Sequence, residues 1–371
     1  MRPAHRHGST RKASPEDARQ TNRALLLDLL RREGPLSRAD LARITGLTPA
    51  TVGNVARELL ADDLIEDRGT QSGSVGKPAR LLGIHAAGRT IVGIDLSDPD
   101  EVRGVRTDLA GQVLGRHQQP RQGATGPAAV EAVIAFAREL VEACEHPLLG
   151  VGIGTPGLVD EAGIVRDAAN LGWTKVDLAM ELSSALGAPV LIDNDANAAA
   201  VAELAFGPAT SDLILLRVGK GLGAGIVLDG VIRRGARSGA GEIGHVVVDP
   251  GGAPCPCGRV GCLETVLSVP ALRARLDGLD GQRARAVIEE AGATLGATLA
   301  VVASALDVHD IAIAGPPLLD RTFLEATAAA LTSRLLPALA DQVEVRSSHV
   351  GEDAVALGAA ALVRNRQLGL G

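Results

Sequence analysis

Residues 239–264, GAGEIGHVVVDPGGAPCPCGRVGCLE, hold three of the chain's four cysteines, Cys255, Cys257 and Cys262, with His245 ten positions before the first of them. Thiolate sulfur and imidazole nitrogen suit zinc, and a Cys3His set without a carboxylate reads as a closed structural site with no open position for water. Gly251, Gly252, Gly258 and Gly261 let the backbone turn tightly enough for residues this close in sequence to meet at one ion. Reduced thiols without a metal, or a single disulfide, are the plainer alternatives; the histidine spacing and the glycine density weigh against both.

GEIGH followed by CPCGRVGCLE resembles the signature of the ROK family, which contains bacterial sugar kinases and sugar-responsive repressors of the hexokinase/actin superfamily. The resemblance implies that His245 and the three cysteines bind zinc, that Glu242 and Glu264 contact sugar hydroxyls, and that His245 touches the sugar as well as the metal.

A chain of 371 residues is long enough for two or three domains, and with aromatics at 1% its core has to be built from Ala, Val, Leu and Ile. No apolar run reaches the roughly 18 residues of a membrane span, and the N-terminus lacks an apolar signal core, so a cytoplasmic protein without membrane attachment is expected. Clustered cysteines fit a metal site in a reducing compartment better than a disulfide framework. Charge divides unevenly: residues 1–80 hold 14 Lys or Arg against 10 Asp or Glu, and the remainder 23 against 34. A basic head on an acidic body suggests a nucleic-acid module joined to a small-molecule binder, although surface variation alone produces such differences.

Residues 1–19 show no apolar periodicity and are expected to be a disordered basic tail. Leu26, Leu29 and Leu30 then mark an amphipathic helix that ends near Gly34 and Pro35. Ser37 caps a short helix whose Leu41 and Ile44 face inward and which stops at Gly46; Thr48 and Pro49 open a third helix with Val52, Val55 and Leu59 as its buried stripe. Short helix, Gly turn and capped helix make a helix-turn-helix, which leaves Ala50, Thr51, Asn54 and Arg57 free to reach base edges. A Gly-rich tip with Lys77 and Arg80 reads as the wing, and SRADLARITGLTPATV is similar to the matching stretch of ROK repressors. Three small helices also serve as protein–protein modules.

After a junction at 86–89, residues 89–118 read as three strands separated by turns, and the layout recurs at 212–235. Such duplication is expected of an actin-like two-lobed fold. By resemblance, Gly154, Thr155, Pro156 and Gly157 form the sugar-side loop, and DNDANAAA carries the family's sugar-binding Asn and catalytic Asp at Asn194 and Asp195. The nucleotide side departs from the kinase pattern. Asp95-Leu96-Ser97-Asp98-Pro99 stands where kinases have Asp-x-Gly-Gly-Thr, Lys220 replaces a Thr, and Gly315-Pro316 replaces a pair of glycines. Proline has no N–H to offer and Asp98 repels phosphate, while phosphoryl transfer depends on positioning and charge neutralisation.

The expected fold is therefore α/β: a winged helix-turn-helix over 20–85, then a two-lobed actin/hexokinase-like (ribonuclease H-like) sugar-binding region over 88–371. Lobe one is expected at about 88–195 plus the C-terminal helix, and lobe two at about 196–355. The expected function is a sugar-responsive regulator, acting as a repressor on operator DNA as a homodimer or homotetramer, with structural zinc and without ATP. The alternatives are an ATP-dependent sugar kinase with an appended DNA-binding domain, in which Asp195 is the catalytic base, and a sugar-binding protein acting through protein partners.

Overall fold

The computed structural model describes residues 15–70, 79–208 and 210–370. The contacts divide the chain into two compact units, one of residues through Arg89 together with Arg364–Gly371, the other of Thr90–Val363. Residues 364–371, expected with the sugar-binding region, thus belong to the first unit.

In the first unit, α1 (Pro15–Glu33) starts earlier than expected, so residues 15–19 are helical rather than part of a tail. Leu26, Leu27 and Leu30 are buried. After β1 (Leu36–Ser37), Ser37 Oγ accepts from Asp40 N and caps α2 (Arg38–Thr45), which Gly46 ends at φ 71°. Thr48 Oγ1 does the same for Thr51 N at the start of α3 (Pro49–Ala61), whose Val52, Val55, Ala56 and Leu59 are buried. Leu41 faces inward, but Ile44, one residue before the end of the helix, is 46% exposed. β2 (Ile65–Thr70) and β3 (Arg80–Ile84) complete a three-stranded sheet of order β1-β3-β2. Together these are the helices and sheet of a winged helix-turn-helix.

The second unit holds two five-stranded sheets. β4 (Thr90–Asp95), β5 (Glu101–Thr107) and β6 (Val113–Pro120) form the antiparallel part of the first, with β7 (Leu148–Thr155) and β11 (Val190–Asn194) parallel to β4 in the order β11-β7-β4-β5-β6. Between them lie α4 (Gly126–Glu142), a small sheet of β8 (Leu158–Val159), β9 (Val165–Ala168) and β10 (Trp173–Val176), and α5 (Leu178–Leu186). The second sheet repeats the plan with β12 (Leu213–Val218), β13 (Leu222–Leu228) and β14 (Val231–Ile232), then β15 (Asp310–Ala314) and β16 (Glu344–Ser347), in the order β14-β13-β12-β15-β16.

Two alanine-rich helices, α6 (Asp195–Phe206) and the final helix, share one core with residues of both sheets, including Val105 of the first and Leu213 and Leu215 of the second. Small side chains are what permit this. In the final helix a Cβ on Gly358 would lie 1.7 Å from Ala198 O, so only glycine lets the two helices approach so closely. The remaining helices, α7 (Leu263–Leu267), α8 (Val269–Leu276), α9 (Gly281–Leu306), α10 (Arg321–Thr332), α11 (Pro337–Ala340) and α12 (Ala354–Leu368), follow in chain order, α12 being that final helix. Among the described residues, α9 alone has the length and composition of a membrane span; its Leu295, Leu299 and Ala303 are buried in the second sheet's core, as in a core helix.

Candidate functional site

The cysteine-rich segment folds back on itself through two isolated bridges, Val247 with Cys262 and Pro254 with Val260. Gly261 makes this possible: at φ +72°, a Cβ there would fall 1.4 Å from Asp249 O. The ligand atoms of His245, Cys255, Cys257 and Cys262 all lie within 4.8 Å of one another. Cys255 Sγ is 3.6 Å from His245 Nδ1, and Cys257 Sγ is 3.6 Å from Cys262 Sγ. Ligands 2.3 Å from a tetrahedral ion are spaced about 3.7 Å apart, so these separations already match a Cys3His metal site. Burial pushes the Cys262 thiol up to about 12, with the neighbouring thiols adding to the effect. Three thiolates can share so small a volume only around a cation.

The candidate sugar residues approach from several elements. Asn194 caps α6, its Oδ1 accepting from Ala196 N at 2.9 Å and Asn197 N at 3.2 Å while its Nδ2 donates to Gly157 O at 3.0 Å. Most of its hydrogen-bonding capacity is therefore spent on fixing the loop, leaving one amide hydrogen to offer. Asp195 follows as the first residue of α6, its Oδ1 held by Ala196 N. Glu264, in the first turn of α7, has Oε2 fixed by Leu222 N at 2.9 Å. Glu242 precedes the short 3-10 turn Ile243–His245, and its Oε2 is 3.8 Å from His245 Nε2. Burial pushes the Glu242 carboxyl upward, and the charges of Asp195 and Glu264 add to the push against the pull of His245. Glu242, Asp195 and Glu264 thus lie close enough to sense one another. Three carboxylates in a partly buried site suit a ligand rich in hydroxyl donors.

The loop residues 154–157 divide. Gly154 and Thr155 are buried, Thr155 at 0% exposure with Oγ1 on Pro156 O, and a Cβ on Gly154 would meet Val355 at 2.3 Å. Strand packing claims these two, so in this structure they present no surface to a ligand; Pro156 and Gly157 are half-buried.

Two arginines near the site carried no sequence signal. Arg217, on β12, donates through Nη1 to Asp195 Oδ2 at 3.1 Å and through Nη2 to Ser97 Oγ at 2.5 Å. Arg234, after β14, reaches Asp193 Oδ2 with Nε at 3.1 Å and Nη2 at 2.5 Å. Asp193 in turn accepts from Asn194 N and Asn197 Nδ2, so the turn 193–195 is gripped from both sides. Sequence separations of 22, 41 and 120 residues put these partners out of reach of spacing arguments. Lys220, which stands where the kinase pattern has a Thr, is paired with Asp100 and lies 3.7 Å from Asp98.

In the first unit, Ala50, Asn54 and Arg57 are exposed on α3 and Thr51 is half-buried. Thr51 Oγ1 lies 2.9 Å from Thr48 Oγ1, and Arg57 Nη1 donates to Asn54 Oδ1 at 3.1 Å. Arg80 pairs with Asp67 at 2.9 Å, and Lys77 lies outside the described residues.

Residues 91–366 match the ROK family model, and residues 19–66 match a winged helix-turn-helix DNA-binding model. The chain is 35% identical over 261 residues to a putative xylose repressor of Caldicellulosiruptor sp. (strain Rt8B.4), covering 68% of this chain and only 65% of that protein. It is 28% identical to the DNA-binding transcriptional dual regulator NagC of Escherichia coli (strain K12) over 94% of each. A solved ROK family transcriptional regulator, a homolog of the E. coli MLC protein, superposes with a TM-score of 0.84 at 27% identity, covering 95% of this chain and 98% of the other.

Proposed function

We propose that this chain, which belongs to the ROK family, is a sugar-responsive transcriptional repressor in which the winged helix-turn-helix holds operator DNA and the two-sheet region senses the sugar. The observation that carries the reading is the pairing of a DNA-binding module with gathered carboxylates Asp195, Glu242 and Glu264 in one polypeptide. Relatives named putative xylose repressor and N-acetylglucosamine repressor support it. Pro156, Gly157, Asn194, Asp195, Glu242, His245 and Glu264 are the proposed sugar contacts, and Ala50, Thr51, Asn54 and Arg57 the proposed base contacts, with Lys77 and Arg80 on the backbone side.

His245, Cys255, Cys257 and Cys262 would hold zinc in a structural role, stiffening the loop on which Glu242 and Glu264 stand. A homodimer or homotetramer in the cytoplasm fits an operator read as two half-sites. Lys220 is ion-paired with Asp100 and lies near Asp98, so it is not free to neutralise a triphosphate, which disfavours the kinase alternative.

The test is fluorescence anisotropy of the full chain on DNA from its own promoter region, titrated with D-xylose, D-glucose or N-acetyl-D-glucosamine. One of these sugars should shift operator affinity several-fold while leaving random DNA unaffected. ATP-dependent phosphorylation of the same sugar, abolished by Asp195→Ala, would establish the kinase instead.

A further inference from the structure

The turn between β4 and β5 and the hairpin between β12 and β13 meet across the second unit. From the first come Ser97, Asp98 and Asp100; from the second come Arg217 and Lys220. Arg217 bridges Ser97 Oγ and Asp195 Oδ2, and Lys220 bridges Asp98 and Asp100. The β4–β5 turn is preformed for this. Asp95 Oδ1 accepts from Ser97 N at 2.8 Å, Asp98 Oδ1 accepts from Asp100 N at 2.8 Å, and the buried Arg121 donates through Nη1 to Asp98 O and through its backbone N–H to Asp100 O.

The substitutions at Asp98 and at Lys220, each a separate departure from the kinase pattern, are therefore partners of one another. Counting Asp95, Asp98, Asp100 and Asp195 against Arg121, Arg217 and Lys220 leaves the cluster with one more carboxylate than cation, which repels a phosphate rather than attracting it.

We propose that these residues form an ion-pair clasp that ties the two sheets together on the side where a related kinase would hold nucleotide, and that Arg217 is the positioning residue linking the clasp to the sugar carboxylate Asp195. The second half rests on the sensor reading above; the first does not. The two arms differ in strength. Side-chain exposures of 44% for Lys220 and 82% for Asp100 leave that pair open to water and salt, whereas Arg217 and Asp195 are 24% and 13% exposed. Arg217 is the arm that matters. Beside a guanidinium, Asp195 Oδ2 is a fixed hydrogen-bond acceptor already committed to Arg217, which is what a receptor needs. Burial pushes the Asp195 carboxyl upward, and the opposing pull of Arg217 only partly offsets it.

Hydrogen exchange on the full-length chain tests the clasp without any ligand. Arg217→Met should speed exchange about tenfold in both 96–101 and 217–222, while Arg217→Lys restores most of the protection. Lys220→Asp should give a smaller, salt-sensitive increase that Asp100→Lys added to it reverses. Unchanged exchange in Arg217→Met, or a change confined to 217–222, would overturn the clasp. The link to Asp195 is read by calorimetry with whichever of D-xylose, D-glucose and N-acetyl-D-glucosamine binds the wild-type chain: Arg217→Met should weaken it about tenfold or more and Arg217→Lys much less. Equal affinity in Arg217→Met and wild type would reject the positioning role. If no sugar binds the wild type, the sensor reading fails while the exchange experiment still decides the clasp.

Discussion

His245 Nε2 lies 3.8 Å from Glu242 Oε2, while the other ring nitrogen, Nδ1, lies 3.6 Å from Cys255 Sγ. One imidazole thus stands between the candidate metal ligands and a candidate sugar carboxylate. An ion held through Nδ1 fixes the ring, and the ring fixes which atom faces Glu242.

Removing the metal should therefore be felt at the sugar site. Cys257→Ser is expected to lose about one equivalent of zinc per chain and to melt several degrees lower than wild type. Elemental analysis and calorimetry check both, and the stabilisation by sugar should fall with them. Protein purified without chelator that contains no metal would refute the site.

Glu203 sits at the far end of α6 from Asp195, fully buried, with Ser348 Oγ donating to it at 2.7 Å and Arg346 and His349 beside it. Burial alone would raise its carboxyl, but the hydrogen bonds from Ser348, Arg346 and His349 outweigh burial and hold it below the usual range. With the folded value depressed, Glu203 stabilises the protein above about pH 4.3, and that contribution is lost as pH falls through the lower folded value. Glu203→Gln should cost about 3 kcal/mol at neutral pH, near the lower bound for breaking a buried pair because Arg346 keeps Asp310. Denaturant melts at pH 7 and pH 4 should show the loss shrinking with acid.

Gly53 lies within α3 and a Cβ there would meet nothing within 4 Å among the described residues, so no packing with them demands glycine. Gly53→Ala should raise stability by up to about 1 kcal/mol. If α3 enters the major groove, the same change should weaken operator binding, since the added methyl is on the side that approaches DNA. Arg57→Ala should lower discrimination between operator and random DNA, and Lys77→Ala should weaken both and flatten the salt dependence. Anisotropy across a salt series separates the three.

Asp195→Ala should abolish most of the thermal shift given by sugar, because it removes an acceptor and leaves Arg217 with Ser97 alone. ATP should give no shift in either protein. A thermal-shift panel reads both results.

Much was legible from local chemistry. Ser37, Thr48 and Gly46 announced the helix ends, and the spacing of His245, Cys255, Cys257 and Cys262 announced that these four side chains would gather, because caps, turns and short loops are decided within a few residues. The duplicated strand pattern foretold two sheets for the same reason. What the chain did not disclose lay in pairings across large separations. Arg217 meets Ser97 from 120 residues away, Arg234 meets Asp193 from 41, and Thr155 is buried on the face of β7 that also carries Val151 and Ile153. A charged residue in sequence states only that it needs a partner or water. Which partner it finds is set when the sheets pack, because burial makes an unpaired charge too costly to leave, and only the folded arrangement brings the opposite charge within reach.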